Sequence, residues 1–177
     1  MSRKNLTSSI GPIMQLAFVP EDFDAAIEYW TRTMGVGPFF WIEKAGLQNM
    51  RFQGKDSDVD FGLALSYWGD VQIELIKQHN DSPSIYNSKP YATSGLHHVC
   101  LMTEDIKKSK QIALDAGGKM AFEADVPGGG GVFYADFGGP EGLIEVLQAA
   151  PGSEGLFEVL KAAAADWDDK EQFLFLG

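Results

Sequence analysis

The feature that most constrains this chain is an arrangement of one strand, one helix and three strands that occurs twice. A short apolar segment at residues 12–20 and another at 95–101 are each followed by acidic residues and then by a segment of helical periodicity. Glycines end each helical segment, and three further runs of strand propensity come after them. The sequence therefore predicts an α+β fold made of two tandem βαβββ modules and a C-terminal helix.

Turn residues and changes in composition divide the chain into five regions. These are a polar N-terminal arm (1–10), a first module (11–78), a linker rich in Pro, Asn and Ser (79–94), a second module (95–149) and a C-terminal helical extension (150–177). Glu74 follows Gln15 by 59 residues whereas Glu145 follows His98 by 47, a difference of 12. We place the excess in residues 54–58 and in longer neighbouring strands, and we expect residues 47–53 to continue a hairpin with the aromatic run at 39–42.

The charge and composition exclude several classes of partner. The formal net charge is −11, which is unsuited to nucleic acid because phosphate binding requires clustered Lys and Arg. No apolar run approaches the roughly 18 residues needed to cross a bilayer, so we expect no membrane partner. Cys100 is the single cysteine, which rules out an intrachain disulfide and suits a reducing compartment. We predict a cytoplasmic protein that binds a small molecule.

Four polar residues occupy equivalent positions in the two repeats. Strand alternation places Gln15 and His98 on matching faces, and Glu74 and Glu145 occupy matching positions in the closing strands. One imidazole, two carboxylates and one amide oxygen suit a divalent cation that keeps open positions, without distinguishing Zn, Ni, Co, Mn or Fe. Taken singly, each residue also fits an ordinary hydrogen-bonded or solvated side chain.

Two residues beside His98 have other expected roles. His97 is its sequence neighbour, so alternation predicts that its side chain points to the opposite face and is packed or capping. Cys100 is expected to be a small apolar filler at the cleft wall, since no base in the sequence accompanies it as a nucleophile would require.

The C-terminal segment has its own pattern. Apolar residues near helical spacing predict an amphipathic helix within residues 153–176 that docks on its own module or on a second subunit. We expect a homodimer.

Three motifs resemble the vicinal oxygen chelate superfamily, which includes glyoxalases, bleomycin-resistance proteins and extradiol dioxygenases. They are the opening strand and helix through residues 29–40, the Gly-Leu-His-His-Val strand at 95–99 and Leu-Ile-Glu-Val-Leu at 143–147, and the similarity covers residues 11–149. The resemblance implies a curled mixed sheet around a metal cleft. It also implies Gln15, Glu74, His98 and Glu145 as metal ligands, in an order similar to zinc-type glyoxalase I and related to methylmalonyl-CoA epimerases.

The resemblance further implies a lyase or isomerase that removes a proton next to a carbonyl through a metal-stabilised enolate. Glu145 is then the expected principal base and Glu74 its partner across the cleft. The expected substrate is a small apolar or aromatic carbonyl compound, and we predict that four aromatic residues bind it: Phe39, Trp41, Tyr67 and Tyr134. The alternatives are a metal-free small-molecule binding protein of the bleomycin-resistance kind and a ring-cleaving dioxygenase, which Gln15 disfavours because that chemistry uses two histidines and one glutamate.

Overall fold

The computed structural model describes residues 5–93, 95–138 and 143–176, so residues 1–4 of the predicted arm lie outside the described part. The helices are α1 (Leu6–Ser9), α2 (Phe23–Glu28, continued by a π-helical turn, Tyr29–Thr33), α3 (Ile106–Asp115) and α4 (Glu154–Ala165). The strands are β1 (Ile13–Phe18), β2 (Phe39–Ile42), β3 (Gln48–Phe52), β4 (Lys55–Asp56), β5 (Phe61–Trp68), β6 (Val71–Gln78), β7 (Leu96–Met102), β8 (Lys119–Val126), β9 (Gly130–Asp136), β10 (Leu143–Gln148) and β11 (Phe173–Phe175). Among these ranges no helix combines the length and apolarity that crossing a membrane requires.

All eleven strands form one sheet, in the order β11-β2-β5-β6-β1-β7-β10-β9-β8-β3-β4. The two repeats use the same internal order, because β6 pairs parallel to β1 and β10 pairs parallel to β7. The opening strands β1 and β7 pair antiparallel and join the repeats at the centre of the sheet. The predicted α+β fold with a curled mixed sheet is confirmed.

Strand alternation separates two faces of this sheet. Helix α2 packs on one face of the first repeat through a core that includes Ile27, Ile73 and Leu75. Helix α3 packs on the same side of the second repeat, where Ala113 contacts a core with Leu101. The opposite face, here called the inner face, carries Gln15, Glu74, His98 and Glu145, because these residues alternate with those that the helices cover.

The sequence predicts that residues 47–53 form a hairpin with residues 39–42, but the strand β3 does not pair with β2. It pairs antiparallel with β8 of the second repeat, with Arg51 opposite Glu123 and Phe52 opposite Phe122. The side-chain amide of Asn49 also donates to Asp125 at 2.6 Å. The strand β3 therefore crosses from the first repeat and covers β8, which would otherwise be the edge strand of the second repeat. Proteins commonly cover exposed edge strands, because such strands can pair with other chains.

The segment that connects the repeats contributes buried residues. Its residues 79–93 form turns rather than strands or helices, but Ile85 is fully buried and Tyr86 is 4 % exposed. Both belong to an apolar core that includes Phe61, Phe122 and Tyr134, drawn from both repeats. The connection thus contributes core residues to the space between the modules.

The C-terminal extension packs on its own module. Leu160 of α4 is fully buried against Phe40, Leu65 and Tyr67, which lie on the inner face. The extension is not helical throughout, because after α4 the chain adds β11 in parallel to β2 at the edge of the sheet. Of the two docking sites that the sequence left open, the structure shows the helix on its own body, and the expected homodimer stays a prediction.

Leu160 offers a direct test of this packing. Leu160→Ala is expected to lower the free energy of unfolding by about 2–5 kcal/mol, since it removes a buried side chain and leaves a cavity. Val159 is its neighbour on the exposed side of α4, at 62 % exposure. Val159→Ala should therefore change stability by less than about 0.5 kcal/mol in the same urea titration. Equal effects of the two variants would contradict the docking of α4.

Candidate metal centre

The four predicted polar residues lie on four adjacent strands at the middle of the sheet. Gln15 is on β1, Glu74 on β6, His98 on β7 and Glu145 on β10. The strand register brings them level, since the Cα partners of Ala17 are Glu74 on one side and His98 on the other. Because β1 and β7 pair antiparallel, residues at equivalent positions of the two repeats come together at the centre of the sheet.

The side chains converge around the imidazole of His98. Its Nε2 lies 3.0 Å from Oε2 of Glu145 and 3.4 Å from Oε2 of Glu74. One ligand-type atom from each of these three residues lies within 4.8 Å of those of the other two. All four residues are buried, with exposures of 0 % for His98, 5 % for Gln15, 6 % for Glu74 and 7 % for Glu145. The structure therefore brings Glu74, His98 and Glu145 together, and Gln15 lies buried on the same face of the adjacent strand β1.

Two atoms of this cluster have no hydrogen-bond partner among the residues that the structure describes. They are Nε2 of His98, which meets the two carboxylates at short distance but without hydrogen-bond geometry, and Oε1 of Gln15. A buried polar atom left unpaired costs about 1–3 kcal/mol, so such atoms point to a ligand. An imidazole nitrogen, an amide oxygen and two carboxylates are suitable donors for a divalent ion. The residues present fit a metal.

The electrostatics of the cluster reflect the burial of two carboxylates around one imidazole. Burial raises the pKa of Glu74, and the negative charge of Glu145 adds to the rise while His98 and Gln15 oppose it. Burial lowers the pKa of His98, but Glu145 and Glu74 outweigh it and raise that pKa to about 9. The carboxylates thus strongly favour a positive charge between them, which is the charge that a metal ion would supply.

His97 lies beside His98 and not on the opposite face that strand alternation predicts. Ala17 pairs with His98 and Phe18 with Leu96, so His97 is the extra residue of a β-bulge. A bulge interrupts strand alternation and can redirect a side chain. The Nδ1 atoms of the two histidines are 2.9 Å apart, and Nε2 of His97 lies 2.9 Å from the carbonyl oxygen of Ile85.

These contacts define which ring nitrogen of His98 faces the carboxylates. The carbonyl of Ile85 can only accept, so Nε2 of His97 carries its proton and donates. Burial lowers the pKa of His97 to about 4, aided by the charge of His98, so Nδ1 of His97 is free to accept. Nδ1 of His98 is then the donor to His97, and Nε2 of His98 is the ring nitrogen that faces the carboxylates. The raised pKa keeps a proton on this nitrogen in the metal-free protein, and metal binding would release that proton. A hydrogen bond at the ring nitrogen that does not bind the metal commonly orients a histidine ligand.

Glu145 and Cys100 are constrained by their neighbours. The hydroxyl of Tyr134 donates to Oε1 of Glu145 at 3.0 Å, which fixes the orientation of that carboxylate. Cys100 is fully buried, and burial together with Glu145 raises the pKa of its thiol well above the usual range. A thiol held in its neutral form is a poor nucleophile, in keeping with the apolar filler expected at this position.

The predicted substrate-binding aromatic residues divide between the two faces. Trp41 pairs with Ala64 and packs with Phe39 in the core under α2, so these two residues lie on the face opposite the polar cluster. The sequence could not fix the face of β2, because it is a run of apolar residues with no alternation. Tyr67 and Tyr134 do lie on the inner face, and their hydroxyls contact Gln72 and Glu145.

Sequence reasoning missed Tyr86, which comes from the connecting segment. Its ring contacts that of His97 in a tilted arrangement, with centroids 5.5 Å apart. Its hydroxyl is buried without a hydrogen-bond partner among the described residues. Burial raises its pKa well above the usual range, and the charges of Glu74 and Glu145 contribute to that rise. The adjacent apolar pair Ile85-Tyr86 within a polar stretch was the available signal of burial.

Comparison with known proteins gives a consistent family and fold. Residues 14–135, more than half of the chain, match the Glyoxalase/Bleomycin resistance protein/Dioxygenase superfamily. No curated protein sequence matches. Similar solved structures include a methylmalonyl-CoA epimerase of Streptomyces coelicolor (17 % identity, TM-score 0.55, covering 81 % of this chain and 97 % of that one). The epimerase of Mycobacterium tuberculosis is also similar (15 % identity, TM-score 0.51, covering 86 % and 97 %). At such low identities these structures share the fold, and the family match together with that fold shows that this chain belongs to the glyoxalase, bleomycin-resistance and dioxygenase superfamily.

Proposed function

We propose that this protein is a divalent-metal-dependent lyase or isomerase that moves a proton at the carbon next to a carbonyl group. The observation that carries the proposal is the buried group of Glu74, His98 and Glu145, whose ligand-type atoms lie within 4.8 Å of one another. The unpaired oxygen of Gln15 supplies a fourth candidate ligand. A buried set of two carboxylates and one imidazole is costly unless it is neutralised, which favours a functional role over a structural one.

The proposed roles follow from the contacts of each side chain. Gln15, Glu74, His98 and Glu145 would hold the ion, which when bound polarises the substrate carbonyl and stabilises negative charge on its oxygen. Glu145 is the proposed principal base, because Tyr134 orients its carboxylate and a base held by a third group is a recurrent catalytic arrangement. Glu74 approaches the same imidazole from the neighbouring repeat and is proposed to exchange the proton on the other side of the substrate.

The surroundings support an uncharged, compact substrate. The inner core next to the site is apolar and aromatic, with Phe61, Tyr86 and Phe122 among its members. Arg32 and Arg51 are at the surface, where they pair with Glu28 and Asp56. One solved epimerase of this fold is in complex with methylmalonyl-CoA. The CoA carrier has phosphates, and these two arginines are not arranged to meet such groups at the site. A small apolar or aromatic carbonyl compound is therefore the proposed substrate class.

Proton exchange with solvent tests the reaction type without knowledge of the natural substrate. Protein loaded in turn with Zn²⁺, Ni²⁺, Co²⁺ or Mn²⁺ is incubated in D₂O with aromatic and aliphatic α-hydroxyketones and with methylmalonyl-CoA. Deuterium is expected at the α-carbon of at least one hydroxyketone with loaded protein only, as followed by NMR. Metal binding without exchange in any compound would contradict the proposed reaction. Failure to bind any of these metals would favour the metal-free binding protein instead.

The site also predicts an effect of the metal on stability. An ion that binds only the folded protein stabilises it by about 2.7 kcal/mol when its concentration is 100-fold above the dissociation constant. The melting temperature should therefore rise on metal addition and return to its starting value with excess chelator. Calcium is the matched control, since it prefers six to eight oxygen ligands and should shift the melting temperature less. Equal shifts with all ions would indicate binding to surface carboxylates.

A further inference from the structure

Gln15 is held by a buried chain of side chains that the proposed chemistry does not use. Its Nε2 donates to Oε1 of Gln72 at 2.6 Å, and Nε2 of Gln72 donates to the hydroxyl of Tyr67 at 3.1 Å. Strand register aligns the three residues across β1, β6 and β5, because Gln72 is the Cα partner of both Gln15 and Tyr67. The middle residue, Gln72, is 1 % exposed.

A buried glutamine at this position requires an explanation. Burying an amide is unfavourable unless its groups are paired, and an apolar residue would fill the same space in a core. Both ends of the Gln72 amide are paired, and one of its partners is a candidate metal ligand. The contact occupies the nitrogen of Gln15 and leaves its oxygen as the unpaired atom.

The orientation of the Gln15 amide decides whether it can bind a cation. The two ends of a carboxamide have almost the same shape, so the hydrogen-bond partners determine which end is turned which way. The oxygen can be a ligand, whereas the NH₂ group cannot. With Oε1 of Gln72 beside its nitrogen, Gln15 is favoured in the orientation that leaves its oxygen unpaired.

The far end of this chain is anchored by the C-terminal helix. Tyr67 packs in one cluster with Leu160 of α4. Lys161 of the same helix lies 2.6 Å from Asp70, in the turn that joins the strands of Tyr67 and Gln72. The phenol is thus held in place by packing on one side and by Gln72 on the other.

We propose that Gln72 and Tyr67 are positioning residues that fix the carboxamide of Gln15 with its oxygen available to the metal. The inference rests on the proposed role of Gln15 as a ligand. Outer partners of metal ligands typically change metal affinity by about 10–100-fold when they are replaced. Gln72→Met keeps the length of the side chain and removes both polar groups, so it should weaken Co²⁺ binding within that range. Tyr67→Phe keeps Oε1 of Gln72, the atom that accepts from Gln15, and should weaken Co²⁺ binding less, by about threefold to tenfold.

A double-mutant cycle separates positioning from a general structural effect. Co²⁺ affinity is measured by calorimetry for the wild type, Gln72→Met, Gln15→Leu and the double variant, together with the visible absorption spectrum of bound Co²⁺. If Gln72 acts through Gln15, its replacement should have no further effect once Gln15 is absent. The control is Gln111→Met on α3, since the exposed amide of Gln111 donates to Asp115 of the same helix, away from the site.

The outcomes distinguish this inference from the proposed function. Weaker binding and an altered Co²⁺ spectrum in Gln72→Met, with no additional loss in the double variant, would support positioning. Unchanged affinity in Gln72→Met, or equal losses with and without Gln15, would overturn the inference and leave the metal site standing. Absence of Co²⁺ binding by the wild type, with no binding of Zn²⁺ or Ni²⁺, would overturn the metal proposal itself. Melting curves of each variant show whether a loss of affinity reflects a loss of folding.

Discussion

Replacing His98 by alanine is expected to weaken binding of Zn²⁺, Ni²⁺ or Co²⁺ by at least about 100-fold. Complete four-ligand zinc sites bind with about 10–16 kcal/mol, so one ligand accounts for roughly 3 kcal/mol of the affinity. His98 is the centre of the cluster, since its Nε2 is the atom that lies near both carboxylates. Isothermal titration calorimetry with each metal measures the loss.

Two comparisons make this result specific. His79→Ala removes an imidazole that contacts the backbone of Glu43 outside the cluster, so it should leave metal affinity unchanged. Glu74→Gln keeps the size of a proposed ligand and reduces its charge, so it should weaken binding even if His98→Ala proves too unstable to study. Wild-type affinity in both His98→Ala and Glu74→Gln would remove these residues as ligands.

Glu145→Gln is expected to slow solvent exchange at the α-carbon of the substrate by about 10²–10⁴-fold, the usual contribution of a general base. An amide cannot accept the proton, although its oxygen can still bind a metal. The change should therefore lower the rate more than it lowers metal occupancy. NMR exchange rates with the hydroxyketone that the wild type turns over best, at saturating metal, provide the measurement.

Tyr134 and Glu74 supply the controls for that experiment. Tyr134→Phe removes the hydrogen bond to Glu145 while keeping the base, so its rate should fall by only about tenfold. Glu74→Gln is examined at the same metal occupancy, because the repeat makes the two carboxylates near-equivalent. A large loss of exchange in Glu74→Gln with little loss in Glu145→Gln would reverse the roles that we propose.

The four clustered residues could be predicted because each depends on a short-range pattern that occurs twice. Gln15 and His98 follow from strand alternation, and Glu74 and Glu145 follow from matching apolar surroundings. The pairing of β1 with β7 could then be predicted from the general tendency of repeated units to pack about a two-fold axis. Where the strands are regular, local periodicity is enough to predict which face a side chain occupies.

The missed features all depend on contacts that periodicity does not encode. The bulge at His97 breaks alternation by one residue, and nothing in a Gly-Leu-His-His-Val sequence marks it. The length of the insertion was visible as an excess of residues, but the pairing of β3 with β8 is a long-range choice. Tyr86 reaches the centre from a segment of turns, whose burial depends on the shape of the cavity that it fills.

The segments outside the repeat also determine how this sheet can meet another molecule. Both ends of the repeated eight-strand order are extended by non-repeated strands, with β11 at one end and the β3–β4 hairpin at the other. The outermost strands β11 and β4 contain only three and two residues. Such short terminal strands offer little backbone for pairing with another chain, which protects against uncontrolled edge-to-edge association. A second copy of this protein would therefore be expected to associate through side chains on a helix or sheet face, and not by extending the sheet.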